Sequence, residues 1–158
     1  MNSRFDYAND VLYGASEHNL EKLKQPQNAL AQVITFTKRA DHIRPVLQKQ
    51  HWLPIKYKID FKVTTIGYKV RQTGCPAYLA SSVVEYMPTR QLRSSSSLLL
   101  QSLQTRTVIA CRAFSQATPK VGYDLLIDIR KSVTFDRFRS ALRMHYYRLA
   151  SDNGSCTS

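Results

Sequence analysis

Apolar residues recur three and four positions apart along most of this chain, and that spacing predicts helices. Leu20, Leu23, Leu30 and Ile34, with Ala29 and Ala31 among them, set out a helix over about 18–37. Pro26 falls inside it. An internal proline removes a backbone hydrogen bond and costs about 3 kcal/mol, so this helix is expected to kink or to start late. Arg44-Pro45 opens a short helix ending near Gln50, since proline suits the first helical position. Pro54 opens a longer helix over about 55–71, which Thr73, Gly74 and Pro76 terminate. TRQLRSSSS (89–97) is polar, basic and Ser-rich and reads as a linker. In LLLQSLQTRTVIAC beyond it, Thr107, Val108 and Ile109 favour two short strands around a turn, although Leu98 to Leu103 fits a helix equally well. Thr134 caps a last helix whose Phe135, Phe138, Leu142, His145, Tyr146 and Leu149 share one face.

The expected fold is therefore mainly α. A helical half covers 1–88, the linker 89–97, and a small β-hairpin with a C-terminal amphipathic helix 98–150. SDNGSCTS, from 151 to 158, is expected to be a disordered tail.

Placed on a helix, HWLPIKYKIDFKV and the residues after it separate into three stripes. Ile55, Ile59, Val63, Ile66 and Val70 form an aliphatic seam; Tyr57, Phe61 and Tyr68 form an aromatic one on nearly the opposite side. Lys58, Lys62 and Lys69 fill the gap between them. A helix apolar on two sides is usually sandwiched in a core, its lysines snorkelling to water. The functional alternative makes the aromatics stacking platforms and the lysines phosphate contacts. On the last helix, Arg137 and Arg148 lie on one flank of the apolar face, and Arg139 and Arg143 on the other. These arginines are either a solvated face or phosphate contacts.

Charge sharpens that alternative. The chain of 158 residues carries 23 Lys and Arg against 11 Asp and Glu, a net charge of +12, and such a field attracts RNA, DNA or an anionic surface. Cys75, Cys111 and Cys156 are far apart and suggest neither a disulfide framework nor a metal clip. No apolar stretch suits a signal peptide and no span approaches 18 apolar residues, which reads as a soluble chain of the nucleus or cytoplasm with no membrane partner. The four histidines lie at no metal-ligand spacing, and the five glycines never cluster into a phosphate loop. Asp124 and Asp128, at i and i+4 on one helix edge, read as solvated surface. These patterns point away from self-contained catalysis; no cofactor is expected.

Several blocks stand in an order that resembles one family. They are FDYANDVLYG (5–14), LKQPQNALAQV (23–33), RADHIRPVLQKQHWLPIKYKIDFKV (39–63), GYKVRQTGCPAYL (67–79), YMPTRQLRSS (86–95), RAFSQATP (112–119) and TFDRFRSALRMHYY (134–147). The order resembles the region downstream of the polymerase core in endonuclease–reverse transcriptases of jockey-type non-LTR retrotransposons. The resemblance covers nearly the whole chain except the tail.

It implies a thumb-like helical half and a parent RNA-directed DNA polymerase whose palm holds Mg²⁺ on an Asp-Asp motif. This chain has no Asp-Asp dipeptide, so the resemblance transfers context rather than catalysis. It implies partners of two kinds: RNA or DNA, and the missing palm or another chain against an apolar face that includes Phe5 and Tyr7. The nucleic-acid candidates are Lys58, Lys62, Lys69, Arg90, Arg93, Arg106, Arg139 and Arg143. Three departures stand out. Pro26 replaces an aliphatic residue, Gln32 an arginine, and GYDLL (122–126) a segment carrying a Trp. They suit a decaying copy or one repacked around the changes. The competing expectations are a partner-binding or self-associating helical protein, and a relic with no function.

Overall fold

A computed structural model of the chain describes residues 9–38, 41–87 and 99–152. It is mainly α. After a 3-10 turn at Asn9–Leu12 come α1 (Glu17–Thr35), α2 (Ile43–Lys49), α3 (Ile55–Thr73) and the short α4 (Ala77–Ala80). A second 3-10 turn, Ala110–Arg112, leads into α5 (Phe114–Tyr123), followed by α6 (Ile127–Arg130) and α7 (Phe135–Asp152). The chain divides into two compact units, residues 1–59 with 144–158 and residues 60–143. Both divisions fall inside helices, α3 and α7. The Ser-rich stretch 89–97, Phe5 and Tyr7, and positions 153–158 lie outside the described residues, whereas Ser151 and Asp152 belong to α7.

In the first unit, α1 begins after Ser16, whose carbonyl accepts the amides of Asn19 and Leu20. Pro26 neither delays nor ends it, and its ring sits on the exposed side. The opposite side buries Leu20, Gln27 and Ala31. Leu20 packs with Ile55 and Ile59, and Leu12, Tyr13, Ala15 and Leu23 close around them.

The HWLP block proves to be a helix stop followed by a clamp. His51 takes the left-handed conformation (φ 53°), and its N–H reaches the Gln48 carbonyl. The Trp52 N–H reaches back to Leu47 O at 2.8 Å. These paired bonds satisfy the carbonyls that α2 leaves open at its end. The Leu53 carbonyl then accepts a 2.8 Å hydrogen bond from the buried Gln27 amide, and the His51 carbonyl accepts one from the Tyr147 hydroxyl. A buried carbonyl left without that amide would cost about 1–3 kcal/mol.

In the second unit, Val63, Tyr68 and Val70 of α3 are buried, as are Ala117, Val121, Leu125, Ile129, Phe138 and Leu142. Tyr68 stacks on Phe138 with ring centroids 3.9 Å apart and planes 12° from parallel, worth about 0.5–1.5 kcal/mol beyond burial. Its hydroxyl donates to Ser132 O at 2.7 Å, so the one polar atom of that ring is satisfied. Helices α3 and α5 cross closely at Gly67, where an added Cβ would collide with the Thr118 Cγ2 methyl. Helix α3 stops at Gly74, whose φ of +64° an L side chain rarely adopts.

The expected β-hairpin near 98–110 is absent: no strand occurs among the described residues. Leu100 forms one isolated antiparallel bridge with Glu85, flanked by bonds from Tyr86 N to Leu99 O and Gln101 N to Val84 O. Thr107, Val108 and Ile109, expected as a strand, enter a turn in which the Thr107 hydroxyl accepts the Ala110 N–H and its carbonyl accepts the Cys111 N–H. Their β-branched side chains favour extended structure only where a neighbouring strand covers them. Here Val108 and Ile109 are 74% and 80% exposed.

The crossing makes a direct prediction. Gly67→Ala should destabilise the chain by about 1–3 kcal/mol through overpacking. Adding Thr118→Ala should recover at least about 1 kcal/mol of that loss, because it removes the colliding methyl. Urea unfolding of the two single variants and the double variant checks it; purely additive losses would place the strain elsewhere.

Candidate nucleic-acid interface

The eight basic candidates meet different fates. Lys58 is 9% exposed, and its ammonium lies 5.9 Å from the Trp52 ring centroid. Its charge covers an indole rather than solvent, an arrangement worth about 0.5–2 kcal/mol depending on desolvation. Lys62 is half-buried and Lys69 exposed on the same helix. Arg106 is exposed in the irregular segment ahead of the second 3-10 turn. Arg90 and Arg93 lie outside the described residues.

Arg139 and Arg143 are the pair that the structure brings together. Both are exposed one turn apart on α7, where with Asp136 and Ser140 they line an open depression of about 250 Å³. The Arg143 guanidinium lies 6.0 Å from the Phe61 ring centroid on α3. An aromatic face so placed limits the rotamers of a long cation and leaves its outer N–H groups for a phosphate. The second unit, to which this depression belongs, holds most of the charge surplus. Residues 60–143 carry thirteen Lys and Arg against five Asp and Glu, eight of the net +12.

Helix spacing separates Arg139 and Arg143 from Arg137 and Arg148, but it does not single out Asp136. That carboxylate stands at i−3 from Arg139 in the same depression and weakens its pull on an anion. Asp124 and Asp128 do not share a helix edge as expected: Asp124 caps the end of α5 and Asp128 sits in α6. No group of three or more His, Cys, Asp or Glu able to hold a metal ion occurs among the described residues. Among the same residues, no helix is long and apolar enough to cross a membrane.

No family model, curated protein or solved structure matches this chain.

Farther along α7, His145 is held below the ordinary histidine value, first by burial and then by the Arg148 guanidinium. The folded chain therefore binds this proton less readily than the unfolded chain. The stability that results is complete above the unfolded pKa of about 6.5 and is lost as pH falls through the lower folded value. Replacing His145 with Gln should flatten the loss of unfolding free energy between pH 7.5 and pH 5, measured by urea titration at each pH. An unchanged acid limb would assign that loss to other groups.

Proposed function

We propose that this chain is the non-catalytic, post-polymerase region of a jockey-type non-LTR retrotransposon reverse transcriptase, and that it binds RNA or DNA through the Arg139–Arg143 surface of α7. The observation that carries the binding is the exposed arginine pair, steadied by Phe61 in the unit that holds most of the surplus charge. The family reading rests on the ordered sequence blocks. Polymerisation, with its Mg²⁺, would belong to a palm elsewhere in a longer protein or on another chain; this chain alone would extend no primer.

Binding of this kind is dominated by phosphate contacts and is insensitive to sequence. Lys58 takes no part in it, because its ammonium is committed to Trp52. Lys62, Lys69 and Arg106 add to the field without being held in a common site.

A second reading comes from α1. Val33 and Phe36, near its end, are 70% and 95% exposed, in the sort of surface that another protein or a second copy covers. Size that rises with concentration, without salt-sensitive nucleic-acid affinity, would favour it.

Anisotropy titrations against duplex DNA and a structured RNA across a salt series test the first reading. The Arg139→Ala/Arg143→Ala variant should weaken binding and reduce the log–log salt slope on duplex DNA by about 1.8, the value for two lost phosphate contacts. Lys58→Ala should lower stability and leave that slope alone. A folded chain that binds neither nucleic acid at low salt, or a slope indifferent to the arginines, would overturn the reading.

A further inference from the structure

The outer side of α1 carries apolar side chains that the first unit does not cover. Pro26, Ala29 and Val33, three and four residues apart, fall on the side opposite the buried Leu20, Gln27 and Ala31. All three are exposed, and Phe36, which ends the helix in the left-handed conformation, is almost fully so. With Gln25, Asn28, Gln32 and Thr37, the first three line an open hollow on the helix surface. Bulk is unevenly spread along this stripe. Its beginning is shallow, with a proline ring and a methyl group, and its end is bulky, with Val33 and Phe36.

Charge decides what can cover the stripe. Helix α1 has Glu17 and Glu21 against Lys22 and Lys24, hence no net charge, and no charged side chain lies between Gln25 and Thr37. The charges at its beginning are turned on one another, since the Lys24 ammonium lies 3.0 Å from Glu17 Oε1 and 2.6 Å from Glu21 Oε2. Helix α3, by contrast, has five Lys and Arg against one Asp, and α7 four Arg against two Asp. The surplus of +12 therefore lies wholly outside α1. Two like-charged chains repel wherever their basic surfaces meet, and least across a neutral face. An acidic partner, for its part, would find no Lys or Arg to pair with from Gln25 to Thr37.

We infer, resting on the reading of α1 as a contact surface, that α1 pairs antiparallel with α1 of a second copy about a two-fold axis between Ala29 and Val33. A two-fold interface must be complementary to itself, and this stripe is. Antiparallel pairing lays Val33 of each copy over Ala29 of the other, and Phe36 over Pro26, so bulk meets hollow at both ends. The Gln25 and Asn28 amides beside the stripe each carry a donor and an acceptor, so identical faces can bond to one another where two like charges could not. One helix face a side is smaller than the roughly 20–30 residues a side of a standard stable interface, so the dimer dissociates on dilution.

Sedimentation velocity of the full chain from about 1 to about 500 µM tests this, in about 0.5 M NaCl to screen like charge and strip bound nucleic acid. The chain should pass from monomer to dimer and stop there, because a two-fold contact closes on itself. Val33→Glu and Ala29→Lys change exposed positions to good helix formers, and each should raise the dimer Kd at least tenfold. Mixed in equal amounts, the two variants should recover the dimer, since the new carboxylate of one meets the new ammonium of the other across the axis. A folded chain that stays monomeric throughout overturns the pairing but not the reading of α1 as a surface for another protein. A dimer indifferent to both variants overturns both. Assembly beyond two copies, or variants that stay apart when mixed, also refutes the antiparallel pairing.

Discussion

Helix α3 sets the terms for the rest of the chain. Its aliphatic seam gives Ile55 and Ile59 to the core of the first unit, and Val63 and Val70 to that of the second. Its aromatic side is occupied as well: Tyr57 lies against Tyr146, Tyr68 stacks on Phe138, and Phe61 lies beneath Arg143. A helix used on two sides has little bare surface left. The constraint is tightest at Gly67, where the close approach of Thr118 admits no side chain. It also explains Lys58, which has too little exposed helix surface to reach solvent freely and lies over Trp52 instead.

Periodicity made the helices legible because a helix face repeats locally. Leu20, Ile55 to Val70, and Phe138 to Tyr146 could be placed from spacing, and the ends of their helices differ from the expected ones by at most two residues; Ala31 was expected only as a helix former, and α5 (Phe114–Tyr123) and α6 (Ile127–Arg130) were not expected at all. Proline was harder to read. Pro26 lies on the exposed side of α1, so its ring meets solvent and the helix continues through it. The hairpin was misread because strand propensity depends on a partner, and Thr107 to Ile109 have none among the described residues; a local turn captures them. The clamp on Leu53 was not legible, since Gln27 lies 26 residues away and nothing in its local pattern marks it for burial.

The candidate site shows the same division. Arg139 and Arg143 could be paired from their spacing, but Phe61 as the face under Arg143 depends on how α3 and α7 meet in the second unit. Charge was visible in the composition; its concentration in residues 60–143 becomes meaningful only once those residues form one unit. The chain thus keeps its basic surface on α7 apart in kind from the neutral outer face of α1: one suits a polyanion, the other a second copy.

Helix α3 is expected to be the last element to open, because it is buried on two sides. Native-state hydrogen exchange at low denaturant tests it most directly. Amides from Ile59 to Val70 should exchange only through global unfolding, with free energies equal to that measured by denaturant titration, while those of α1 near Val33 open locally. If the α3 amides instead exchange through a smaller local opening while α5 and α7 stay protected, α3 is not the element on which the structure depends.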